Sequence, residues 1–174
     1  VNAYLAGQKP DMVIHTAGLV GGIQANMADP VRFLVENARM GLNIITAAHK
    51  SGVKQFMNFS SSCMYPRNAM SPLSESLILK GELEPTNEGY ALAKIMGTRL
   101  CEYISGGNGS FAYKTVIPCN LYVRCDKFDP SHSHMIPAVI KKIHDAKMSG
   151  ATTLDIWGDG EARREFMYAG DLAD

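Results

Sequence analysis

The sequence predicts an α/β protein built on a doubly wound parallel sheet. Short apolar runs alternate with longer segments in which apolar residues recur at helical spacing, in the order β-α-β-α-β. Glycine-rich and polar segments directly follow the predicted strands, at the edge where such sheets bind their ligands. These observations place the candidate functional residues along one edge of the predicted sheet.

The first predicted strand covers residues 11–17, a short apolar run of the kind found in buried parallel strands. Residues 1–7 ahead of it have the character of a helix end. The loop at residues 18–26 has Gly21 and Gly22 at its centre, which would let the ribose or phosphates of a ligand approach the backbone. A tight turn between strand and helix explains the same glycines equally well.

A long helix and a second strand come next. Asp29 is placed as an N-cap and Pro30 as the first helical residue, and apolar residues then recur at helical spacing until Gly52. This spacing predicts one helix whose apolar face packs on the core. Residues 54–60 predict the second strand, although their alternation is imperfect.

Residues 61–88 predict an irregular stretch, longer than a compact fold normally contains without a functional reason. Asn87 is the candidate cap of the next helix, which fades near residue 106. The remaining elements are a strand, a helix and two short strands, predicted at residues 112–117, 134–148, 154–157 and 164–168. A further helix is expected to begin near the end of the chain.

Composition limits the functions that the chain can have. Its 174 residues are 46% hydrophobic and carry no formal net charge, which fits a globular core and indicates neither disorder nor nucleic-acid binding. No apolar run approaches the roughly 18 residues that would span a membrane. The four cysteines lack metal-ligand spacing, so we expect free thiols, no bound metal and a cytoplasmic location. Since the chain has no initiating Met, we expect it to be the middle of a larger domain.

The strongest candidates for chemistry are Tyr90 and Lys94. Residues four apart lie on the same face of a helix, so the sequence predicts an ammonium group beside a phenol. We expect the lysine charge to lower the pKa of the phenol below its ordinary value of about 10, which would prepare Tyr90 for proton transfer with a carbonyl oxygen. Ser61, Ser62 and Cys63 follow the second predicted strand and add hydroxyls and a thiol at the same edge.

Six stretches together resemble the GDP-L-fucose synthase family of extended short-chain dehydrogenases/reductases, which perform 3,5-epimerisation and 4-reduction of GDP-4-keto-6-deoxymannose. Each stretch is modest alone, but their order and spacing are specific and cover nearly the whole chain. They are PDMVIHTAGLVGGIQAN (10–26), SSCMYP (61–66), EPTNEGYALAKIMGTRLCEY (84–103), PCNLY (118–122), SHMIPAVIKKIHDAK (133–147) and WGDGEARREFMY (157–168).

The resemblance implies a partial Rossmann-like architecture. Residues 1–122 would form an NADP-binding domain without its first strands, and residues 123–174 would form part of a small substrate-binding domain. The implied cofactor is NADP(H), the implied substrate is a GDP-sugar, and the implied assembly at full length is a homodimer. Neither a nucleic acid nor a membrane is expected as a partner.

The resemblance also implies roles for individual residues. Ser61, Tyr90 and Lys94 match the catalytic triad of the family, and Cys63 and His134 match its acid/base pair for epimerisation. We expect Cys63 as the base and His134 as the acid, because thiols and imidazoles ordinarily titrate near neutrality. The NADP contacts of the family match Phe59, Ser60, Ser61, Ser62, Lys94, Pro118, Cys119, Asn120, Leu121 and His134, and its substrate contacts match Lys142, Trp157 and Arg164.

Departures from the family pattern leave alternatives open. Ser60 stands where the family commonly has glycine, and Val123, Arg124 and Cys125 replace the usual Gly-Pro. Such changes are compatible with a different GDP-sugar such as a heptose, with an epimerase that performs no net reduction, or with an inactive binding module of the same fold. The Gly-rich pyrophosphate loop of the first strand is not among these residues, so we expect this chain alone to bind NADPH weakly or not at all.

Overall fold

The computed structural model describes residues 1–107, 109–129, 133–156, 158–161 and 163–174. The chain divides into two compact units. The first unit comprises residues 1–20 and 26–118, and the second unit comprises residues 21–25 and 119–174. Each unit has its own parallel sheet.

The described residues form α-helices and β-strands. The helices are α1 (Asn2–Gln8), α2 (Ile23–Ala28), α3 (Pro30–Lys50), α4 (Glu88–Gly106), α5 (Met135–Ser149) and α6 (Ala169–Ala173). The strands are β1 (Met12–His15), β2 (Gln55–Phe59), β3 (Ala112–Val116), β4 (Asn120–Tyr122) and β5 (Phe166–Tyr168). Within the described part of the chain, none of the helices combines the length and apolarity that crossing a bilayer requires.

The first unit is built on a parallel sheet with the strand order β1-β2-β3. Ile14 on β1 pairs with Met57 on β2, which pairs in turn with Lys114 on β3. Helix α3 lies between β1 and β2 in the chain, α4 lies between β2 and β3, and the two helices pack against each other. Parallel strands joined by crossover helices confirm the predicted α/β fold class.

Two hydrophobic clusters stabilise the first unit. The larger cluster joins the sheet to its helices and includes the fully buried Ile45 and Phe56, with the Phe56 ring stacked 5.1 Å from that of Tyr113. The smaller cluster joins the segment after β2 to α4, and its buried members are Met64, Ile78, Leu83, Ala91 and Ile95. Because Met64 belongs to this cluster, the segment after β2 is anchored in the core.

The first turns of α3 and α4 lie close together. The Asp29 side chain accepts a hydrogen bond from the backbone N–H of Arg32 at 3.0 Å, which confirms the predicted cap of α3. Asn87 occupies the cap position of α4, but its side chain makes no capping hydrogen bond. A Cβ at Gly89 would lie 2.9 Å from the carbonyl oxygen of Pro30, so this approach of the two helices requires glycine.

The structure changes several predicted elements. The three strands of the first sheet are shorter than predicted, because their outer residues do not join the ladder. The strand predicted at residues 154–157 is wrong for residues 154–156, and Trp157 lies outside the described residues. The sequence does not predict α2 and β4, because elements of six and three residues are too short to show a periodic pattern.

The described residues of the second unit include a two-stranded parallel sheet, the helices α5 and α6, and the first residues of α2. Strand β4 pairs with β5, and the carbonyl oxygen of Glu165 accepts hydrogen bonds from the backbone and side chain of Asn120 at 3.3 and 3.1 Å. Helix α5 ends at Gly150, whose φ of 71° is left-handed. Among the described residues of this unit only Pro137 is buried, so this unit holds little core of its own.

Candidate active site

The segment after β2 carries the candidate hydroxyl and thiol groups. Residues 59–64, here called the β2 loop, include the end of β2 and one turn of 3-10 helix at Ser62–Met64. The Ser61 hydroxyl caps this turn by accepting the backbone N–H of Cys63 at 3.4 Å. The turn leaves Cys63 as a partly buried free thiol next to a capping hydroxyl.

Helix α4 presents Tyr90 and Lys94 to the β2 loop. The Lys94 Nζ donates a hydrogen bond to the carbonyl oxygen of Phe59 at 2.9 Å and lies 5.6 Å from the centre of the Tyr90 ring. The Ser61 hydroxyl lies close enough to the Tyr90 phenol and to the Cys63 thiol to lower the pKa of both groups. The structure therefore brings four predicted site residues into one cluster.

The pKa of Tyr90 moves in the direction opposite to the one expected from the sequence. Burial raises it well above the ordinary phenol value, and the nearby Cys63 raises it further, while the hydrogen bond with Ser61 lowers it. Burial therefore decides the direction of the shift, although the Lys94 ammonium group lies 5.6 Å from the centre of the ring. The prediction of a lowered pKa is therefore wrong for this structure. Tyr90 stays protonated at neutral pH, which suits a proton donor.

Burial also determines the charge of the other titratable groups in the cluster. It raises the pKa of the Cys63 thiol, which the hydrogen bond with Ser61 and the Lys94 charge lower by less. It lowers the pKa of Lys94, which Cys63 in turn raises. His15, at the end of β1, is also buried, and burial together with the Lys94 charge lowers its pKa. At neutral pH the thiol and the imidazole are therefore neutral.

The segment after β1 is held by a residue that the sequence analysis does not identify. Asn37 on α3 accepts the backbone N–H of Leu19 at 2.8 Å and donates to the carbonyl oxygens of Leu19 and Phe33 at 3.1 and 2.7 Å. A Cβ on Gly18 would lie 3.4 Å from Asn37 Oδ1 and 3.7 Å from Lys94 Nζ, so glycine leaves a small space between these groups. Asn37 is a polar residue within the apolar pattern of a predicted helix. This position is the sequence feature that could have identified it as a buried hydrogen-bonding residue.

Ser60 directs its hydroxyl into the protein interior. Its backbone N–H donates to the carbonyl oxygen of Val116 at 2.9 Å, and its side chain contacts the Met64 sulfur at 2.9 Å and the Thr98 hydroxyl at 3.3 Å. Only 6% of the residue is exposed. The Ser60 hydroxyl is thus engaged inside the protein, and the cofactor contact of Ser60 stays a prediction.

A cavity of about 130 Å³ lies next to Tyr90. It is lined by residues 85–90 and by the residues that begin α3, among them Pro30 and Phe33. The Asn87 Oδ1 atom is buried and has no hydrogen-bond partner among the described residues. A small polar group in this cavity could satisfy that oxygen.

The predicted cofactor segment at residues 118–121 belongs to both units. Pro118 is the last residue of the first unit, and Cys119 belongs to the second. Asn120 and Leu121 are part of β4, where the Asn120 side chain bonds to the backbone next to β5. Their contact with a cofactor stays a prediction.

The remaining predicted site residues belong to the second unit. His134 is the N-cap residue of α5, and Lys142 on the same helix donates to the carbonyl oxygen of Asp155 at 3.4 Å. Arg164 donates to the carbonyl oxygen of the preceding residue at 2.7 Å. Trp157 lies outside the described residues. The roles of these four residues stay predictions.

The whole sequence is similar to one family of enzymes. The profile of the NAD dependent epimerase/dehydratase family matches residues 1–174. A GDP-L-colitose synthase from Yersinia pseudotuberculosis is 59% identical over 174 residues, which are 100% of this chain and 56% of the relative. A GDP-L-fucose synthase from Escherichia coli (strain K12) is 43% identical over 173 residues, which are 99% of this chain and 54% of the relative. The chain thus spans about half the length of the curated relatives it matches.

Solved structures share the fold of this chain. A GDP-mannoheptose C4 reductase from Campylobacter jejuni with NADP bound matches with a TM-score of 0.86 and 29% identity, over 99% of this chain and 59% of the other. A GDP-L-fucose synthetase from Naegleria fowleri bound to NADP matches with a TM-score of 0.85 and 31% identity, over 99% of this chain and 56% of the other. These matches confirm the predicted Rossmann-like fold class.

Proposed function

The chain belongs to the NAD dependent epimerase/dehydratase family, and from that premise we propose that it carries the catalytic residues of an NADPH-dependent epimerase and reductase. The proposed substrate is a GDP-4-keto-6-deoxyhexose, and the product is GDP-L-fucose or a related GDP-sugar. The observation that carries the proposal is the cluster of Ser61, Cys63, Tyr90 and Lys94 at the end of β2. A thiol beside a Ser-Tyr-Lys set can move protons next to a ketone that is then reduced.

The similar proteins support the substrate class and the cofactor. The curated relatives named above are synthases of GDP-L-sugars, and the similar structures are a fucose synthetase and a mannoheptose reductase that hold NADP. Because these names cover several sugars, we propose a class of substrate and not a single sugar. The proposal includes a cytoplasmic homodimer as the complete enzyme, which the sequence resemblance implies.

The residues around Gly18 fit a nicotinamide cofactor. The missing Cβ leaves space between Asn37 and Lys94, which a ligand could occupy. Lys94 has three N–H donors and gives one to the Phe59 carbonyl oxygen, which leaves donors for ribose hydroxyls. When bound, NADPH supplies the hydride for the C4 carbonyl. We assign its binding to Lys94, residues 59–62, residues 118–121 and His134.

Epimerisation requires a base and an acid beside the ketone, because the C4 carbonyl makes the protons on C3 and C5 acidic. In the proposal, Cys63 removes the carbon-bound proton and His134 returns a proton on the opposite face. Burial raises the pKa of Cys63, so formation of its thiolate depends on the Ser61 hydrogen bond and the Lys94 charge, which lower that pKa. Ser61 and Tyr90 donate hydrogen bonds to the carbonyl oxygen and stabilise the enolate.

Reduction requires a proton for the C4 oxygen. Tyr90 holds that proton, since burial raises the pKa of its phenol well above neutrality. Lys94 would support the transfer by binding the nicotinamide ribose with its remaining N–H donors. Lys142, Trp157 and Arg164 are assigned to the GDP group of the substrate, for which an arginine fork and a lysine charge are suitable partners.

The test is the reaction of the complete enzyme with GDP-4-keto-6-deoxymannose and NADPH, followed by cofactor absorbance and by NMR of the sugar. We expect NADPH oxidation together with inversion at C3 and C5. Tyr90→Phe is expected to lower kcat by about a hundredfold or more, because the proton donor is lost. Tyr103→Phe, which alters a phenol that is 73% exposed, is the matched control.

Two results would reject the proposal in different ways. Inversion of the sugar without NADPH oxidation would indicate an epimerase that performs no net reduction. Binding of the GDP-sugar with neither inversion nor oxidation would indicate a binding module that has kept the fold.

A further inference from the structure

A second set of contacts, which the proposed chemistry does not use, ties the β2 loop to α4. The Ser60 hydroxyl lies 2.9 Å from the Met64 sulfur. The Thr98 hydroxyl lies 3.3 Å from the Ser60 oxygen, 3.5 Å from the Met64 sulfur and 3.0 Å from the carbonyl oxygen of Lys94. All three side chains are buried, with exposures of 6% for Ser60, 0% for Met64 and 4% for Thr98.

Helical spacing makes Thr98 part of the same stripe as two proposed catalytic residues. Tyr90, Lys94 and Thr98 follow one another at intervals of four along α4, so they lie along one face of the helix. Lys94 bonds the Phe59 carbonyl oxygen and Thr98 bonds the Ser60 hydroxyl, while the Tyr90 phenol lies near Ser61. The helix therefore fixes two adjacent loop residues, and Thr98 fixes one of them.

The hydroxyl protons show which side chain donates and which accepts in each of these hydrogen bonds. Each hydroxyl has a single proton to donate. Thr98 shares its proton between the Lys94 carbonyl oxygen, the usual acceptor of a threonine inside a helix, and the Ser60 oxygen. Ser60 donates its proton to the Met64 sulfur. The chain of donation thus runs from α4 through Ser60 to Met64 and closes the turn that contains Cys63.

We propose that Thr98, Ser60 and Met64 are positioning residues that fix the Cys63 turn against α4. Ser60 and Met64 flank residues 61–63, so a contact between them restrains the backbone that carries the thiol. The catalytic consequence of this role rests on the proposed function, whereas the structural consequence does not.

The Cys63 thiol reports on the position of this turn. It is partly buried, and burial raises its pKa. The titratable groups that face it are Tyr90 and Lys94 from α4, with His15 from β1 next to Lys94. If the turn loosens, the thiol gains contact with water and its pKa falls towards the ordinary thiol value.

The experiment compares Thr98→Val with the matched control Thr46→Val in the complete enzyme. Thr46 makes the same type of helical bond, to the carbonyl oxygen of Leu42 at 2.5 Å, and its hydroxyl bonds carbonyls of α3 in the described structure. Alkylation of Cys63 by iodoacetamide is followed across pH by mass spectrometry of the peptide that contains it.

For Thr98→Val we expect Cys63 to be alkylated about fivefold faster at neutral pH, because the loss of one neutral hydrogen bond changes an equilibrium by about this factor. The pH profile of the alkylation rate should move to lower pH. Thr46→Val keeps the wild-type profile, and Thr98→Ser restores it because the hydroxyl is retained. If Thr98→Val fails to fold, Ser60→Ala takes its place, since it removes the same link between α4 and Met64.

The second measurement is the exchange of the C3 hydrogen of GDP-4-keto-6-deoxymannose with solvent deuterium in the absence of NADPH. We expect about fivefold slower exchange in Thr98→Val at an unchanged apparent KM. An unchanged alkylation profile in Thr98→Val, or an equal shift in Thr46→Val, overturns the positioning role. If the wild-type enzyme exchanges no sugar hydrogen but Thr98→Val shows the expected alkylation shift, the proposed function is overturned and the positioning role is retained.

Discussion

The segments that follow β1 and β2 are held in opposite ways. After β1, a single side chain, Asn37, fixes the main chain at Leu19 through two hydrogen bonds, and Gly18 leaves a space without side-chain atoms. After β2, Lys94 and Thr98 of α4 bond two neighbouring loop residues, and the loop carries its own hydroxyls and a thiol. Both segments meet at the Lys94 ammonium group, which lies near the Gly18 backbone and bonds the end of β2.

The two segments are therefore suited to the two tasks of an active site, which are to bind a ligand and to hold reactive groups in place. A segment that is fixed through its main chain and carries a glycine can accept the surface of a ligand at that glycine, as the segment after β1 does at Gly18 in our proposal. A loop fixed by several side chains can hold reactive groups in place, as the β2 loop does with Ser61 and Cys63. Substitutions in the two segments should therefore affect different measurements.

The largest expected effect comes from Lys94→Met, because this residue joins the two segments. The substitution removes the charge that lowers the pKa of Cys63 and the hydrogen bond to the Phe59 carbonyl oxygen. We expect kcat/KM for the complete reaction to fall by about a hundredfold or more. Lys80→Met, at an exposed position outside both segments, should leave kcat/KM unchanged. If Lys94→Met keeps activity near the wild-type level, the reaction does not depend on the link that Lys94 makes between the segments after β1 and β2.

Asn37→Leu should affect stability more than the chemical step. It removes three hydrogen bonds and leaves the backbone groups of Leu19 without their partner, which costs about 2 kcal/mol of the free energy of unfolding. Asn43→Leu, at an exposed position on the same helix, should change that free energy by less than about 0.5 kcal/mol. Denaturant unfolding of both variants provides the measurement. Equal stability of the two would show that Asn37 does not hold the segment.

Gly18→Ala should have the smallest of the expected effects, and this effect should be confined to cofactor binding. Its Cβ would make ordinary contacts with Asn37 and Lys94, so folding is retained, but it would occupy the space assigned to the cofactor. We expect NADPH to bind the complete enzyme about tenfold more weakly, equivalent to about 1.4 kcal/mol. Gly41→Ala, where a Cβ meets nothing within 4 Å, should leave the Kd unchanged. An unchanged Kd in Gly18→Ala would place the cofactor elsewhere.

Local pattern is enough to predict the framework of the site. The capping residue Asp29 and the apolar spacing after it predict α3, and the interval of four predicts that Tyr90 and Lys94 share a face of α4. The order of strands and helices predicts the parallel sheet and the edge where the site lies. These features depend on residues that are close in the sequence.

The remaining features depend on contacts between distant residues, which local pattern does not contain. The three hydrogen bonds of Asn37 and the burial of the Ser60 hydroxyl arise only when α3 and α4 pack on the sheet. The pKa of Tyr90 rises for the same reason, because packing of α4 against the β2 loop buries the phenol. The spacing of Tyr90 and Lys94 predicts that their side chains are close together. It does not predict how far the side chains are removed from water, which determines the pKa of the phenol.

In our proposal the reaction is divided between the β2 loop, where Cys63 moves carbon-bound protons, and α4, where Tyr90 and Lys94 support reduction. The most direct test measures the incorporation of solvent deuterium at C3 and C5 of GDP-4-keto-6-deoxymannose by the complete enzyme carrying Cys63→Ser, beside Cys125→Ser at an exposed thiol. We predict exchange at least about a hundredfold slower in Cys63→Ser, with NADPH oxidation retained and an uninverted product, and wild-type exchange in Cys125→Ser. Exchange at the wild-type rate in Cys63→Ser would contradict the account.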